Sequence, residues 1–160
     1  MHRTPGGTGD TDVLRRRVEQ LREQADDVRA LADRLVAQTE AVGWTGRAAD
    51  SMRVRVTERA THLRTAATQH ETAADSLERH LLAVESTAER IAAVERRATG
   101  LVAEARARVA DLERRRHDGG AAAADLRPDP DDVALAAFDP PPTGHPDWLA
   151  VELPGLEGRA

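Results

Sequence analysis

Apolar and small residues recur at alternating steps of four and three along the first part of the chain. They are Leu14, Val18, Leu21, Ala25, Val28, Ala32, Leu35, Thr39 and Val42. This heptad spacing places them on one side of an α-helix, where they form a seam that packs against another helix. Charged residues such as Arg15, Glu19 and Arg22 fill the positions between them. The spacing therefore predicts a first helix from Asp12 to Val42 that needs a helical neighbour.

A second seam begins after Gly46 and predicts a helix from Arg47 to His117. Its members are Ala49, Met52, Val56, Leu63, Ala66, His70, Ala73, Leu77, Leu81, Val84, Ala88 and Ile91, with a looser continuation to Leu112. Arg59 interrupts the spacing, and the equal steps around Leu77 predict a local change of register. Gly100 is a weak point, because glycine costs about 1 kcal/mol relative to alanine inside a helix. The closing "RRRHDGG" suits a helix C-terminus.

Proline divides the chain sharply. Pro5 is followed by none until Pro128, and the other seven prolines fall between 128 and 154. The segment from Asp118 onward also carries nine acidic residues and only two arginines. This composition predicts a flexible leader at 1–10, a helical domain at 11–117 and an acidic, proline-rich disordered tail at 118–160. The apolar islands "DDVALAAF" and "HPDWLAVELPGL" are either incidental residues of a solvated tail or short docking motifs.

The four residues Gly43, Trp44, Thr45 and Gly46 join the two seams, and a connection this short predicts an antiparallel turn. The fold class is therefore all-α, an antiparallel helical hairpin with an extended second helix. The first helix, at roughly 46 Å, covers the second only to about residue 78. Beyond that point the second helix must either meet a partner chain or break near Gly100 and fold back.

Trp44 lies on this turn and has two compatible interpretations. Its indole can close the open end of the hairpin, with the two glycines supplying the backbone freedom of the turn. Alternatively, the ring stays partly exposed and belongs to a recognition surface.

A helical hairpin of about a hundred residues with Trp-x-Gly at its bend resembles the WXG family of type VII (ESX) secretion systems. Trp44, Thr45 and Gly46 fill that motif, and the resemblance covers roughly residues 10–95. It implies a four-helix bundle made by two hairpins, as a homodimer or as a heterodimer with a second WXG-like protein. It also implies export without a cleaved signal peptide, as a secreted substrate, a co-secreted partner or a targeting factor.

The partner interface is expected at the large members of the two seams. These are Leu14, Val18, Leu21, Val28, Leu35, Met52, Val56, Leu63, Leu77, Leu81, Val84 and Ile91. Members of the family commonly carry a Tyr-x-x-x-Asp/Glu export signal after the second helix, but this chain contains no tyrosine. The nearest aromatic version is formed by Trp148 and Glu152 in the tail. The second helix also extends past residue 95, as in the longer WXG-like domains of secreted effectors.

Catalytic and metal-binding patterns are missing from the sequence. The chain has no cysteine, and its six histidines form no HExxH motif or histidine pair at a spacing of four. His70 lies on the seam as a packed residue or as a pH-sensitive contact. Ser51, Ser76 and Ser86 lack a nucleophile elbow. We therefore expect a protein that is not an enzyme and uses no cofactor or metal.

Charge and hydropathy argue against nucleic acid and membrane as partners. The 21 arginines and 19 acidic residues of 1–117 are interspersed, which disfavours nucleic acid as a partner. No stretch approaches the roughly 20 apolar residues of a membrane span. The use of arginine without lysine is typical of high-GC coding, such as that of actinobacteria. A cytoplasmic location before export follows from the resemblance. The alternatives are a cytoplasmic structural coiled-coil or adaptor protein, and the targeting partner of a secreted toxin.

Overall fold

The computed structural model describes residues 8–120 and 125–156. Helix α1 spans Thr8–Ala41, α2 spans Arg47–Asp118 and α3 spans Pro130–Ala136, followed by a 3₁₀ turn at Pro146–Ala150. Residues 8–120 and 125–156 contain no strand, so the all-α class is confirmed. The first seven residues of the expected leader lie outside the described part, and α1 begins at Thr8, four residues earlier than predicted.

Helix α2 is continuous from Arg47 to Asp118 and does not break at Gly100. A Cβ added at Gly100 would meet nothing within 4 Å, so this glycine is not required by a close contact. The helix ends where the sequence predicts. The amide of Gly119 donates to the carbonyl of Arg115 at 2.9 Å, and Gly120 has a φ of 55°. Nowhere in the described ranges is a helix long and apolar enough to cross a membrane.

The chain forms two compact units, the first ending at Val84 and the second beginning at Glu85. The first unit is the expected hairpin of α1 and the beginning of α2. Ion pairs between the helices show that they run antiparallel. Arg22 of α1 pairs with Glu78 of α2 at 2.8 Å, and Arg64 of α2 pairs with Asp33 of α1 at 2.7 Å. This register brings Ala25 to the level of Ala74 and Ala32 to the level of Ala67.

The hairpin seam is built mainly from alanine. Its buried members are Val18, Ala25, Ala32, Ala49, Ala60, Ala67, Ala74 and Leu81. Ala60, Ala67 and Ala74 recur every seven residues and are fully inaccessible to solvent. Because alanine has the smallest apolar side chain, two helices can approach closely along such a stripe and still exclude water.

The predicted register of α2 was wrong at three positions. The buried residues are Ala60, Ala67 and Ala74, whereas Ala66 is half-buried and Ala73 is exposed. With Ala60, Ala67 and Ala74, the steps alternate between four and three from Val56 to Val84. The proposed interruption at Arg59 and the register change near Leu77 are therefore absent. Adjacent alanines such as Ala66 and Ala67 are chemically identical, so the sequence could not choose between them locally.

The second unit consists of the rest of α2 and the segment after it. Residues 125–156 are not a solvated, disordered tail, which corrects the expectation for that part of 118–160. One buried cluster joins Ile91 and Ala98 of α2 to Trp148 and Leu156. A second joins Val102 and Ala105 to Leu135, with Phe138 and Leu153 packed against it. Both apolar islands of the sequence therefore dock on α2 of the same chain.

Arginines of α2 fasten this segment by binding its backbone. Arg106 donates to the carbonyls of Ala136 and Phe138 at 3.1 and 3.3 Å, and Arg97 donates to the carbonyl of Gly155 at 2.8 Å. Carbonyl groups of an irregular segment lack helical partners, so these contacts satisfy groups that would otherwise be left unpaired. The segment is thus held by apolar side chains and by specific polar contacts.

Candidate interaction site at the helical bend

Two glycines create the bend between α1 and α2. Gly43 has a φ of 50° and Gly46 a φ of 99°, and no other kind of residue among those described has a positive φ. Residues with a Cβ rarely adopt these angles, so glycine is required at both positions. The carbonyl of Gly46 accepts from the amide of Asp50 at 3.1 Å, which begins the first turn of α2. The bend therefore holds Trp44 and Thr45 in a defined loop.

Trp44 points largely into solvent. Its side chain is 62% exposed, the highest value among the large apolar residues of the described chain. Thr45 beside it is also exposed. Because most of the indole remains in water, the packing of the hairpin leaves the largest apolar side chain of the bend unused.

A concave apolar surface lies next to this tryptophan, which we call the bend groove. Its volume is about 310 Å³. It is lined by Leu35, Gln38, Thr39, Val42, Trp44, Ala49, Met52, Arg53 and Val56. Val42 and Met52 are nearly half exposed, so these two apolar side chains of the groove face solvent together with Trp44. Such clusters mark interaction sites more often than isolated exposed residues do.

Two polar side chains of the bend groove, those of Arg53 and Thr39, are engaged within the chain. Arg53 donates to the backbone carbonyl of Trp44 and pairs with the carboxylate of Asp50 at 2.9 Å. The hydroxyl of Thr39 donates to the carbonyl of Leu35 at 2.8 Å. Since these donors already have acceptors, the groove offers mainly apolar contact area. It is suited to bind an apolar side chain of another molecule.

Most of the residues expected at a partner interface lie inside the hairpin. Leu14, Val18, Leu21, Val28, Leu35, Val56, Leu63, Leu77, Leu81 and Val84 are buried or half-buried in the first unit. Met52 is the exposed member of the predicted set, and it lines the bend groove. Ile91 belongs to the second unit, under Trp148. The surface still available at this end is therefore the groove.

The candidate tail signal is arranged differently from Trp44. Trp148 is only 2% exposed, and its indole nitrogen donates to the carbonyl of Pro142 at 3.0 Å. Its ring packs against Phe138 with centroids 6.3 Å apart. Glu152 is exposed. The tryptophan of this motif is therefore part of a core, whereas its acidic residue faces solvent.

Two residues of the groove escaped the sequence reasoning. They are Arg53 and Gln38, two polar residues that the predicted seams do not include. Arg53 occupies the heptad position seven residues before Ala60, and this position was the available signal. His70, placed on the seam by its spacing, is half-buried, and its Nδ1 atom is inaccessible and has no hydrogen-bond partner.

Metal sites and known relatives give no further assignment. Among residues 8–120 and 125–156, no group of three or more histidine, aspartate or glutamate side chains is placed to hold a metal ion. No family model, no curated protein and no solved structure matches the chain.

Proposed function

We propose that this protein is a non-enzymatic binding protein of type VII secretion, similar to WXG proteins, that recognises a helical partner through the bend groove. The observation that carries the proposal is the exposure of Trp44 beside an apolar groove at the bend of a helical hairpin. The partner is a second WXG-like hairpin or a component of the secretion machinery. The protein acts in the cytoplasm before export as a substrate, a co-secreted partner or a targeting factor.

The energetics of the bend support this proposal. Val42, Trp44 and Met52 are only partly buried in the hairpin. Burying the rest of their apolar surface against a partner therefore gives a large favourable binding free energy. Tryptophan is enriched among residues that dominate binding energy, because it combines a large rigid surface with few rotamers to immobilise. The two glycines fix the loop before binding, which lowers the entropy cost of presenting the ring.

The combination of motif and position links this site to the WXG resemblance. Trp44-Thr45-Gly46 lies between the end of α1 at Ala41 and the start of α2 at Arg47, where the resemblance requires it. A hairpin with this motif at its bend is the architecture that the family resemblance implies. The buried state of Trp148 favours Trp44 as the tryptophan that a partner contacts first.

Export and copurification with neighbouring gene products test the proposal, using the Trp44→Ala variant in the native host. The matched control is Val54→Ala, which removes an exposed apolar side chain of the same helix end that does not line the groove. We expect Trp44→Ala to lose both export and the copurifying partner while its melting temperature stays within about 2 °C of wild type. Val54→Ala should retain both. Wild-type export and copurification by Trp44→Ala would contradict the proposal.

A second candidate function is favoured by the length of α2. The helix runs for 72 residues and carries apolar or small residues at most of its heptad positions, which is typical of structural coiled-coil and adaptor proteins. In that case the chain stays in the cytoplasm, and Trp44→Ala changes neither export nor partner binding. The same experiment therefore separates the two candidates.

A further inference from the structure

The second half of α2 carries a seam of its own. Ile91, Ala98, Ala105 and Leu112 recur every seven residues, and the first three are buried under the docked segment. The order is large, small, small, large, so it reads the same in both directions along the helix. We call this set the palindromic stripe.

The hairpin of the first unit shows how large and small side chains are matched when two antiparallel helices pack together. In the first unit, the ion-pair register places Ala25 level with Ala74 and Ala32 level with Ala67, while Val18 lies level with Leu81. Small residues thus meet small residues, and large ones meet large ones, across an antiparallel helix pair. A palindromic stripe meets this condition with a second copy of itself, because reversing its direction leaves the order unchanged.

The segment that covers the palindromic stripe in this structure is not a long regular helix like α1. Leu135, Trp148 and Leu156 cover it from a short helix, a 3₁₀ turn and irregular backbone. The attachments of Arg97 and Arg106 are exposed, and the pair of Arg108 with Asp132 is partly exposed. Exposed polar attachments contribute little net stability, so the docked segment is held chiefly by a few apolar side chains.

We propose that residues 128–156 act as an intramolecular clasp that prevents the palindromic stripe from pairing antiparallel with the stripe of a second copy of this chain. The clasp and the second copy compete for the same face of α2, so opening the clasp converts a monomeric helix surface into a dimer interface. The antiparallel pairing puts Ala98 opposite the second copy's Ala105 and Ile91 opposite its Leu112, so the two-fold axis passes between Leu101 and Val102. This inference concerns the second unit alone and does not rest on the proposed function of Trp44.

The test compares two double variants of the full-length protein. Leu135→Ala with Trp148→Ala removes the two most buried side chains of the clasp. Val133→Ala with Leu149→Ala removes exposed neighbours of the same two segments and is the matched control. Sedimentation velocity over a range of concentrations gives the dimer dissociation constant, and limited proteolysis reports whether residues 128–156 are released.

We expect the clasp-open variant to be cleaved faster in this segment and to dimerise with a dissociation constant at least about tenfold lower than that of wild type or control. Adding Ala98→Glu and Ala105→Glu should return it to a monomer, because like charges then meet across the seam. An unchanged dissociation constant, a dimer that survives the two glutamates, or a segment that stays docked after both substitutions would each overturn the proposal. Trp44→Ala should leave these constants unchanged, which separates this inference from the proposed function.

The register can be tested directly, because the chain has no native cysteine. Val102→Cys in the clasp-open background should form a disulfide-linked dimer under mild oxidation, since the two copies of residue 102 lie beside the two-fold axis. Ala103→Cys, on the exposed side of α2, should not. Equal crosslinking at both positions would contradict the antiparallel pairing.

Discussion

The two halves of α2 use similar stripes but cover them with different structures. Before Val84, fully buried alanines recur every seven residues against a regular helix, α1. After Glu85, Ala98 and Ala105 are equally inaccessible, but an irregular, proline-rich segment covers them. A heptad pattern therefore specifies an apolar surface that must be buried. It does not by itself specify whether a regular helix or an irregular segment buries it.

The two halves also differ in how charge supports packing. Along the hairpin, Arg22 and Arg29 of α1 pair with carboxylates of α2, so the contacts join two regular helices at one flank. In the second unit, arginines bind mainly backbone carbonyls. Carbonyl contacts suit a segment whose backbone is not saturated by its own secondary structure.

The largest expected effect is a charge in the alanine seam of the hairpin. Ala74→Asp should destabilise the first unit by about 3–5 kcal/mol, because it buries an unpaired carboxylate between two helices. Ala73→Asp, one residue earlier and exposed, should cost far less. Urea unfolding followed by circular dichroism measures both. Equal losses would mean that the assigned register of α2 is wrong.

Truncating a buried side chain of the clasp tests how the second half of α2 is covered. Leu135→Ala should cost about 2–3 kcal/mol of the docking free energy, since this leucine is almost fully buried against Val102 and Ala105. Val133→Ala, in the same helix but half exposed, is the control. Hydrogen exchange should show faster exchange in residues 130–156 with little change in α1. Loss of protection in α1 would show that the two halves do not respond separately.

Glycine substitutions should have opposite signs in the two regions. Gly46→Ala should destabilise the hairpin by about 1–2 kcal/mol, because its φ of 99° is strained for alanine. Gly100→Ala should stabilise the second unit by about 0.5–1 kcal/mol, since the helix is regular there and the added methyl meets nothing. Thermal unfolding of the two variants checks this. A stabilising Gly46→Ala would contradict the account of the bend.

Acidification should give the smallest effect and should weaken both regions. The Arg108 guanidinium, by hydrogen bonding, lowers the pKa of Asp132, and Arg29 lowers the pKa of Glu71 in the same way. In each case the folded-state pKa lies below the unfolded value. The stabilisation is therefore complete above the ordinary carboxyl pKa and is lost as the pH falls through the folded value.

Asp132→Asn should remove the pH dependence of the protection of the clasp from hydrogen exchange. Glu71→Gln should do the same for the part of the hairpin's protection that depends on the pair with Arg29. Protection measured from neutral pH down to about pH 3 by hydrogen exchange resolves the two regions, because each contribution is lost below the ordinary carboxyl pKa. An Asp132→Asn clasp that still loosens in acid like wild type would show that the pair with Arg108 is not its pH-sensitive contact.

Much of the fold could be predicted because it depends on periodic features. The seam of α1 from Leu14 to Thr39, the glycine bend and the end of α2 near "RRRHDGG" follow from local spacing and cap chemistry. The register of α2 could not be predicted, because Ala66 and Ala67 have identical side chains. Only the seven-residue spacing that links Ala67 to Ala60 and Leu81 distinguishes them. The docking of Trp148 on Ala98 could not be predicted either, since acidic composition favours disorder and the contact is nonlocal.

The candidate site was predictable in part for the same reasons. Trp44 and its glycines are visible in the sequence, but the groove beside them depends on how Leu35 and Met52 meet across the bend. The exposure of Trp44 distinguishes the two interpretations of its role only after the packing of the hairpin is known.

Tryptophan fluorescence can test the proposal that a partner covers Trp44, because Trp148 is buried in the second unit. In the Trp148→Phe variant, Trp44 is the only tryptophan, and its emission reports the bend groove alone. Acrylamide quenching should be strong in the free protein, in keeping with 62% exposure, and should fall with a blue shift of the emission when the copurified partner is added. Unchanged quenching and emission in the partner complex would contradict the claim that the bend groove is the binding site.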